Sequence, residues 1–449
     1  MQKRWIILFV ALLSVGFLGL FYSGHEGVFT DIDSNLNFAD IAWMITATIF
    51  VLMMTPGLSF FYGGMVRSKN VISTMLQSFI AMGVISVIWV VVGFSLAFGE
   101  DLGHFIGNPG TFFMFMHVGG ATDKLLAPTI PLALYALFQM KFAIITPSLI
   151  TGSFAERVRF SGYLVFMILF CIFVYCPLAH WTWHPDGFLR QMGVLDFAGG
   201  IVVHASSGVA ALAGAIFLGR RKESGQPANI PFVLLGAAML WLGWFGFNAG
   251  SSLAANSIAV KAFLNTNTAS ATAMMTWVVF DCLRGRKPSA MGAAIGAVVG
   301  LVAITPSAGY VTVGESIFIA LVVTIICNMA VSWKNKKNSF DDALDVFPTH
   351  GVGGIVGTIM TGIFVYNASE NITYWQNLLN HIIAVVIVCG YTFIVTYALY
   401  WITDKMIPMR VSEKSEKIGL DMSQHDERYG IETNRELAEY FDHGVDTKP

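Results

Sequence analysis

The chain has 449 residues, 55% of them apolar and only 12% charged, with a mean hydropathy of +0.66. Soluble domains carry roughly 25% charged residues, so the composition excludes an ordinary soluble domain and marks an all-α polytopic membrane protein. The formal net charge of −2 carries no signal for nucleic acid, and no such partner is expected.

A basic head (Lys3, Arg4) leads an apolar stretch at 5–22, the design of a signal peptide or signal-anchor over residues 1–24. The stretch lacks an A-x-A cleavage site, yet the reading leans towards a cleaved signal. Apolar runs follow at 40–62, 71–98, 129–150, 160–179, 197–219, 231–253, 260–281, 289–304, 314–333, 347–365 and 376–403. Most reach the roughly 17–25 residues that cross a bilayer. The run at 289–304 is short and 347–365 is glycine-rich, so both are expected to be broken or tilted. Residues 25–408 thus form one eleven-helix domain, and 409–449 form a charged tail.

Alternate loops hold fifteen Lys and Arg, among them Arg67, Arg157, Arg221, Arg284, Lys334 and Arg410, against three in the others (Lys124, Arg190, Lys261). This positive-inside bias places the mature N-terminus outside and the tail in the cytoplasm. The five cysteines all fall in or beside apolar runs without metal-ligand spacing. Gly292, Gly296 and Gly300 form a small-x-x-x-small ridge for close helix packing. The sequons at Asn367 and Asn371 fall in an outside loop and carry no weight.

Two histidines stand inside apolar segments, each led in by an aspartate: Asp196-F-A-G-G-I-V-V-His204 and Asp345-V-F-P-T-His350-G-V-G-G. An imidazole in hydrocarbon is costly unless it is buried in protein, hydrogen-bonded or lining a polar path. Eleven spans divide into five, five and one, and an odd repeat must cross in the opposite sense the second time. That predicts a five-plus-five inverted repeat with a final long helix, His204 on span five and His350 on span ten, both near the midplane. Gly351, Gly353 and Gly354 are expected to leave open space beside the second imidazole.

Several separated blocks then carry a family resemblance. They are F-Y-G-G-M-V-R (61–67), F-A-I-I-T-P-S-L-I-T-G (142–152), A-E-R-V-R-F (155–160), D-F-A-G-G-I-V-V-H (196–204), W-F-G-F-N-A-G-S (244–251) and D-V-F-P-T-H-G-V-G-G (345–354). Together they resemble the ammonium transporter (Amt/Mep/Rh) family, its Amt branch in particular, from about residue 40 to 430. The resemblance implies a homotrimer in the cell (inner) membrane with one pore per subunit. It also implies ammonium recruitment by Phe142, Trp183 and Ser251, a gate of Phe142 and Phe247, and passage of ammonia past His204 and His350, which share a hydrogen bond. Asp196 and Trp244 take supporting roles, and Trp181 competes with Trp183 for its assignment.

Lys141, before the gate phenylalanine, departs from the family and reads as a snorkelling or subunit-contact lysine. The tail segment Gly419–Tyr429 resembles the family's cytoplasmic motif, which docks a PII-type signal protein, but lacks its G-E-x-A-Y after the histidine. By composition alone it is a solvated tail. An ammonium sensor signalling through this tail is the alternative function. A metal or hydrolytic enzyme is not expected, since no H-E-x-x-H or G-x-S-x-G motif occurs. No cofactor is expected either.

Overall fold

Side chains mark where the long helices start. Asn37, Asn229, Asn256, Ser289 and Thr373 each accept a backbone N–H from the first turn of the helix that follows, satisfying donors that a helix start otherwise leaves open. The computed structural model describes residues 2–22, 33–337, 340–365 and 372–430. Asn367, Asn371 and the tail beyond residue 430 lie outside the described residues.

Among the described residues the elements in chain order are α1 (Gln2–Tyr22), α2 (Phe38–Met65), α3 (Ser68–Phe98), α4 (Leu132–Phe154), α5 (160–183), α6 (Gly200–Leu218) and α7 (Ile230–Gly250). Then come α8 (Ser257–Leu283), α9 (Ala290–Ile304), α10 (Val313–Lys337), α11 (347–364), α12 (Tyr374–Met406) and a short α13 (Glu413–Ile418). Eight helices are long and apolar enough to cross a membrane. Three more, α8, α9 and α11, occupy the remaining predicted span positions. As expected, α9 is short at 15 residues. A two-stranded antiparallel hairpin, β1 (Asp101–Leu102) and β2 (Ile106–Gly107), lies in the connection after α3.

Glycine decides which helices touch. A Cβ on Gly236 of α7 would stand 2.6 Å from the Gly57 carbonyl oxygen of α2, and one on Gly64 would stand 2.9 Å from the Val233 amide. The backbones of α2 and α7 therefore meet with no side chain between them, which suits helices that gain little hydrophobic force from one another in lipid. The ridge on α9 does the same: a Cβ on Gly296 would lie 3.0 Å from the Ala273 carbonyl of α8.

At the tail end of the bundle a buried ion network ties four loops together. Glu156 accepts the Arg67 backbone N–H at 2.8 Å and pairs with Arg67 and Arg221, both at 3.1 Å. Asp341 pairs with Arg221 at 2.9 Å and accepts its backbone N–H at 2.8 Å. Burial alone would raise the Asp341 carboxyl, but the Arg221 hydrogen bonds and the Arg157 charge outweigh it and hold it at about 2.

The described part of the tail is docked on these loops, contrary to the reading of a solvated run. Asp421 accepts the Ile72 and Ser73 amides at 3.1 and 2.7 Å, capping α3 from 348 residues away. Glu416 pairs with Arg410 at 3.0 Å, and Asn229 donates to the Tyr429 hydroxyl at 2.7 Å. Composition could not show this, because Asp421 answers amides, and Tyr429 an asparagine, far along the chain.

The Asp341 pairing fixes a pH signature. A carboxyl depressed from 3.8 to about 2 contributes stability that is present above pH ~4 and lost as pH falls through ~2. Asp341→Asn is expected to lower stability by on the order of 1–2 kcal/mol at pH 7, where it leaves Arg221 under-paired. The check is the thermal-inactivation midpoint of detergent-solubilised protein, and the gap from wild type should close between pH ~4 and ~2.

Candidate functional site

Both histidines lie in π-helical turns at the starts of their helices, Gly200–Ala205 in α6 and Phe347–Gly351 in α11. Such turns are rare and cluster at functional sites. Asp196 builds the first of them. Its Oδ1 accepts the Gly199 and Gly200 amides at 2.9 and 2.6 Å, and its Oδ2 accepts Ile201 and Val202 at 2.8 and 3.2 Å. Gly199 has φ +123, a conformation that L side chains rarely adopt. One carboxylate thus satisfies four opening donors of α6.

The counterpart in α11 is Asp342, a correction to the sequence pairing of Asp196 with Asp345. Asp342 stands eight residues before His350, as Asp196 stands eight before His204, and its Oδ2 accepts the Phe347 amide at 2.7 Å. Burial pushes the Asp342 carboxyl up to about 6, against the nearby charge of Lys334. Asp345 turns aside with φ +59 and pairs with Lys334. The equal spacing of eight was the signal that could have found Asp342.

His204 and His350 meet Nδ1 to Nδ1 at 3.3 Å, with ring planes 26° apart. A hydrogen bond there requires one Nδ1 to carry a proton and the other to present a lone pair, so the pair is a donor joined to an acceptor. Trp244 stacks on His204 at 5.2 Å and 19°, its Nε1 donating to Thr305 Oγ1 at 2.9 Å. Thr305 passes the bond on to the Leu301 carbonyl at 2.7 Å. Sequence reading missed Thr305, since a helix-end threonine carries no distinguishing pattern.

The two imidazoles line a narrow cavity whose other walls include Met54, Leu58, Phe61, Leu149, Leu240 and Val298, with room for about one water-sized molecule. The glycines after His350 do not open space beside it, as the sequence reading expected. A Cβ on Gly354 would lie 2.6 Å from the Gly200 carbonyl and 3.0 Å from His204 Cβ. A Cβ on Gly208 would fall on the Gly351 backbone. These glycines press α6 and α11 together and so set the imidazole separation.

Towards the Asp196 end, the Phe142 and Phe247 rings overlap at 4.3 Å and 33°, both fully buried. Trp183 meets Phe142 edge-on at 5.8 Å and donates from Nε1 to the Asp196 carbonyl at 3.0 Å. Ser251 closes α7 one turn beyond Phe247 and donates to the Phe247 carbonyl at 2.8 Å. Trp181 is turned away, bonded to the Phe105 carbonyl and packed 4.7 Å from Tyr391. Of the two tryptophans, Trp183 stands beside Phe142. Lys141 is 8% exposed, and its Nζ lies 3.8 Å from Met140 Sδ with no acidic partner among the described residues.

With this geometry in hand, comparison with known proteins is direct. The Ammonium Transporter Family model matches residues 42–429. A putative ammonium transporter of Methanothermobacter thermautotrophicus is 44% identical over 87% of this chain and 98% of its own length. An ammonium transporter of Bacillus subtilis is 42% identical over 88% and 98%. Among solved structures, Mep2 of Candida albicans superposes with a TM-score of 0.81 at 34% identity, covering 94% of both chains. A structure titled Sensor Amt Protein superposes at 0.80 and 30% identity, over 86% of this chain and 98% of that one.

The glycine contacts make a sharp contrast. Gly208→Ala must part α6 from α11 and is expected to cost about 1–3 kcal/mol. Gly83→Ala, where a Cβ meets nothing within 4 Å, should be neutral or slightly stabilising. Thermal-inactivation midpoints of the two purified variants make the comparison, and equal midpoints would remove the close approach from the account.

Proposed function

The chain belongs to the ammonium transporter family, and from that premise we propose a mechanism in which its twin imidazoles conduct ammonia through an apolar lumen. Membership makes it a multi-pass membrane protein of a transporter family, not an enzyme, with ammonium as the transported species. The observation that carries the mechanism is the His204–His350 contact at 3.3 Å inside otherwise apolar walls.

An ammonium ion entering that lumen would lose its hydration and meet no carboxylate, a large cost. Trp183 and Phe142 offer aromatic faces to the cation before that cost arises, worth about 0.5–2 kcal/mol. The Ser251 hydroxyl adds an acceptor that suits an N–H donor better than a bare ion. Asp196 supports the site by holding the α6 start and, through its carbonyl, Trp183. Ammonium that yields its proton there to water at the outer mouth passes the Phe142–Phe247 gate as ammonia, a small neutral molecule with one lone pair and three N–H groups. The imidazole pair then offers it a donor and an acceptor along one wall. The same hydrogen bond is a route for the released proton, so ammonia crosses with or without a relayed proton.

The loop charges favour a cell (inner) membrane orientation with the Trp183 end outside and the tail in the cytoplasm. A homotrimer, and a PII-type protein docking at the tail face, belong to the same reading and rest on the family resemblance. The resemblance to a sensor structure keeps signalling in view as the second reading.

Proteoliposomes test the proposal. Wild-type protein should take up ammonium above empty vesicles, and Trp183→Leu should raise the half-saturating concentration roughly 2- to 30-fold at an unchanged maximal rate. No uptake by wild type, together with tail-dependent signalling in cells, would favour the sensor. Unchanged half-saturation in Trp183→Leu would remove Trp183 from recruitment.

A further inference from the structure

Asp196 lies on the loop before α6, Trp183 at the last residue of α5 bonds to that loop, and what steadies it lies on another helix. His381 is fully buried in α12 with both ring nitrogens engaged by backbone. Its Nδ1 is 2.8 Å from the Asn377 carbonyl, which only accepts, so Nδ1 carries the proton. The Leu195 amide, which only donates, points at Nε2 from 3.1 Å, so Nε2 is the bare nitrogen. The ring is thereby fixed as the neutral Nδ1–H tautomer. One residue earlier, Asn380 donates to the Met192 carbonyl at 2.6 Å. On the far side of Asp196, the Phe197 amide donates to the Pro306 carbonyl at 3.0 Å. Asp196 is strung between these anchors, with Trp183 hydrogen-bonded to its carbonyl at 3.0 Å.

We propose that His381 is a positioning residue for ammonium recruitment, latching Leu195 so that the Asp196 carbonyl holds Trp183 against Phe142. The inference rests on the transport reading above. His381 is not among the residues lining the lumen, and it reaches Trp183 through the Leu195 amide. Gly362 of α11 makes room for it, since a Cβ there would lie 2.9 Å from His381 Cβ. The same ring therefore also stands against the helix that carries His350. Without the acceptor at Nε2, the half-buried Leu195 N–H loses its partner, the loop shifts, and Trp183 loses its fixed orientation.

Two variants separate positioning from bulk packing. His381→Leu keeps the apolar volume and removes the acceptor, whereas His381→Gln keeps an acceptor oxygen within reach of the Leu195 amide. In ammonium-evoked currents from proteoliposomes, His381→Leu should raise half-saturation roughly 3- to 10-fold. Its maximal current should stay within about twofold of wild type, and His381→Gln should restore the wild-type value. Hydrogen–deuterium exchange over 192–202 should quicken in His381→Leu and not in His381→Gln. Unchanged half-saturation in His381→Leu would overturn the proposal. So would a fall in maximal current with no change in half-saturation, or a Gln variant as impaired as Leu. A wild-type protein without current would defeat the transport reading, while the exchange comparison would still decide whether the latch exists.

Discussion

Everything at the centre of this protein depends on two helix starts lying backbone to backbone. Gly208 against Gly351 and Gly354 against Gly200 leave no side chain between α6 and α11. That contact brings His204 and His350 to 3.3 Å. A methyl group at either place would part the rings by more than a hydrogen bond allows. The π turns that begin both helices then turn the imidazoles towards each other, and Trp244 holds one of them by stacking.

Electrostatics explains why the carboxylates are placed where they are. The lumen keeps ionised groups out, because a charge there would have to be repaid in hydrocarbon. Acids instead stand at the helix starts, where free amides and the positive end of the helix receive them. Asp196 satisfies four amides at one end, and Asp342 serves the opposite end eight residues before its own histidine. The tail repeats the device: Asp421 caps α3 across the fold. A separate balance of Glu156, Asp341, Arg67 and Arg221 holds the loops on which that tail rests.

How much of this was legible in the sequence follows from which interactions are local. The spans were readable because hydrocarbon demands long apolar runs, and helices stand at all eleven expected positions. His204 and His350 stood out because titratable residues in such runs are expensive. The nearest aspartate to His350 was taken as the partner of Asp196, and three residues of offset hid Asp342, which does the capping. Gly351, Gly353 and Gly354 were read as open space beside His350, yet Gly351 and Gly354 lie against the α6 backbone and Gly353 against the Val302 and Cys327 side chains. No local pattern separated Trp181 from Trp183; Phe105 and Tyr391 did, from elsewhere in the chain. His381 was passed over altogether, because its meaning lies in an amide 186 residues away.

The account stands on the histidine pair, and currents from proteoliposomes on a solid-supported membrane probe it most directly. Wild type should answer ammonium and ignore potassium, and the His204→Ala/His350→Ala double variant should lose that selective response. A double variant that carries ammonium at the wild-type rate, with the wild-type preference over potassium, would contradict the twin-imidazole mechanism.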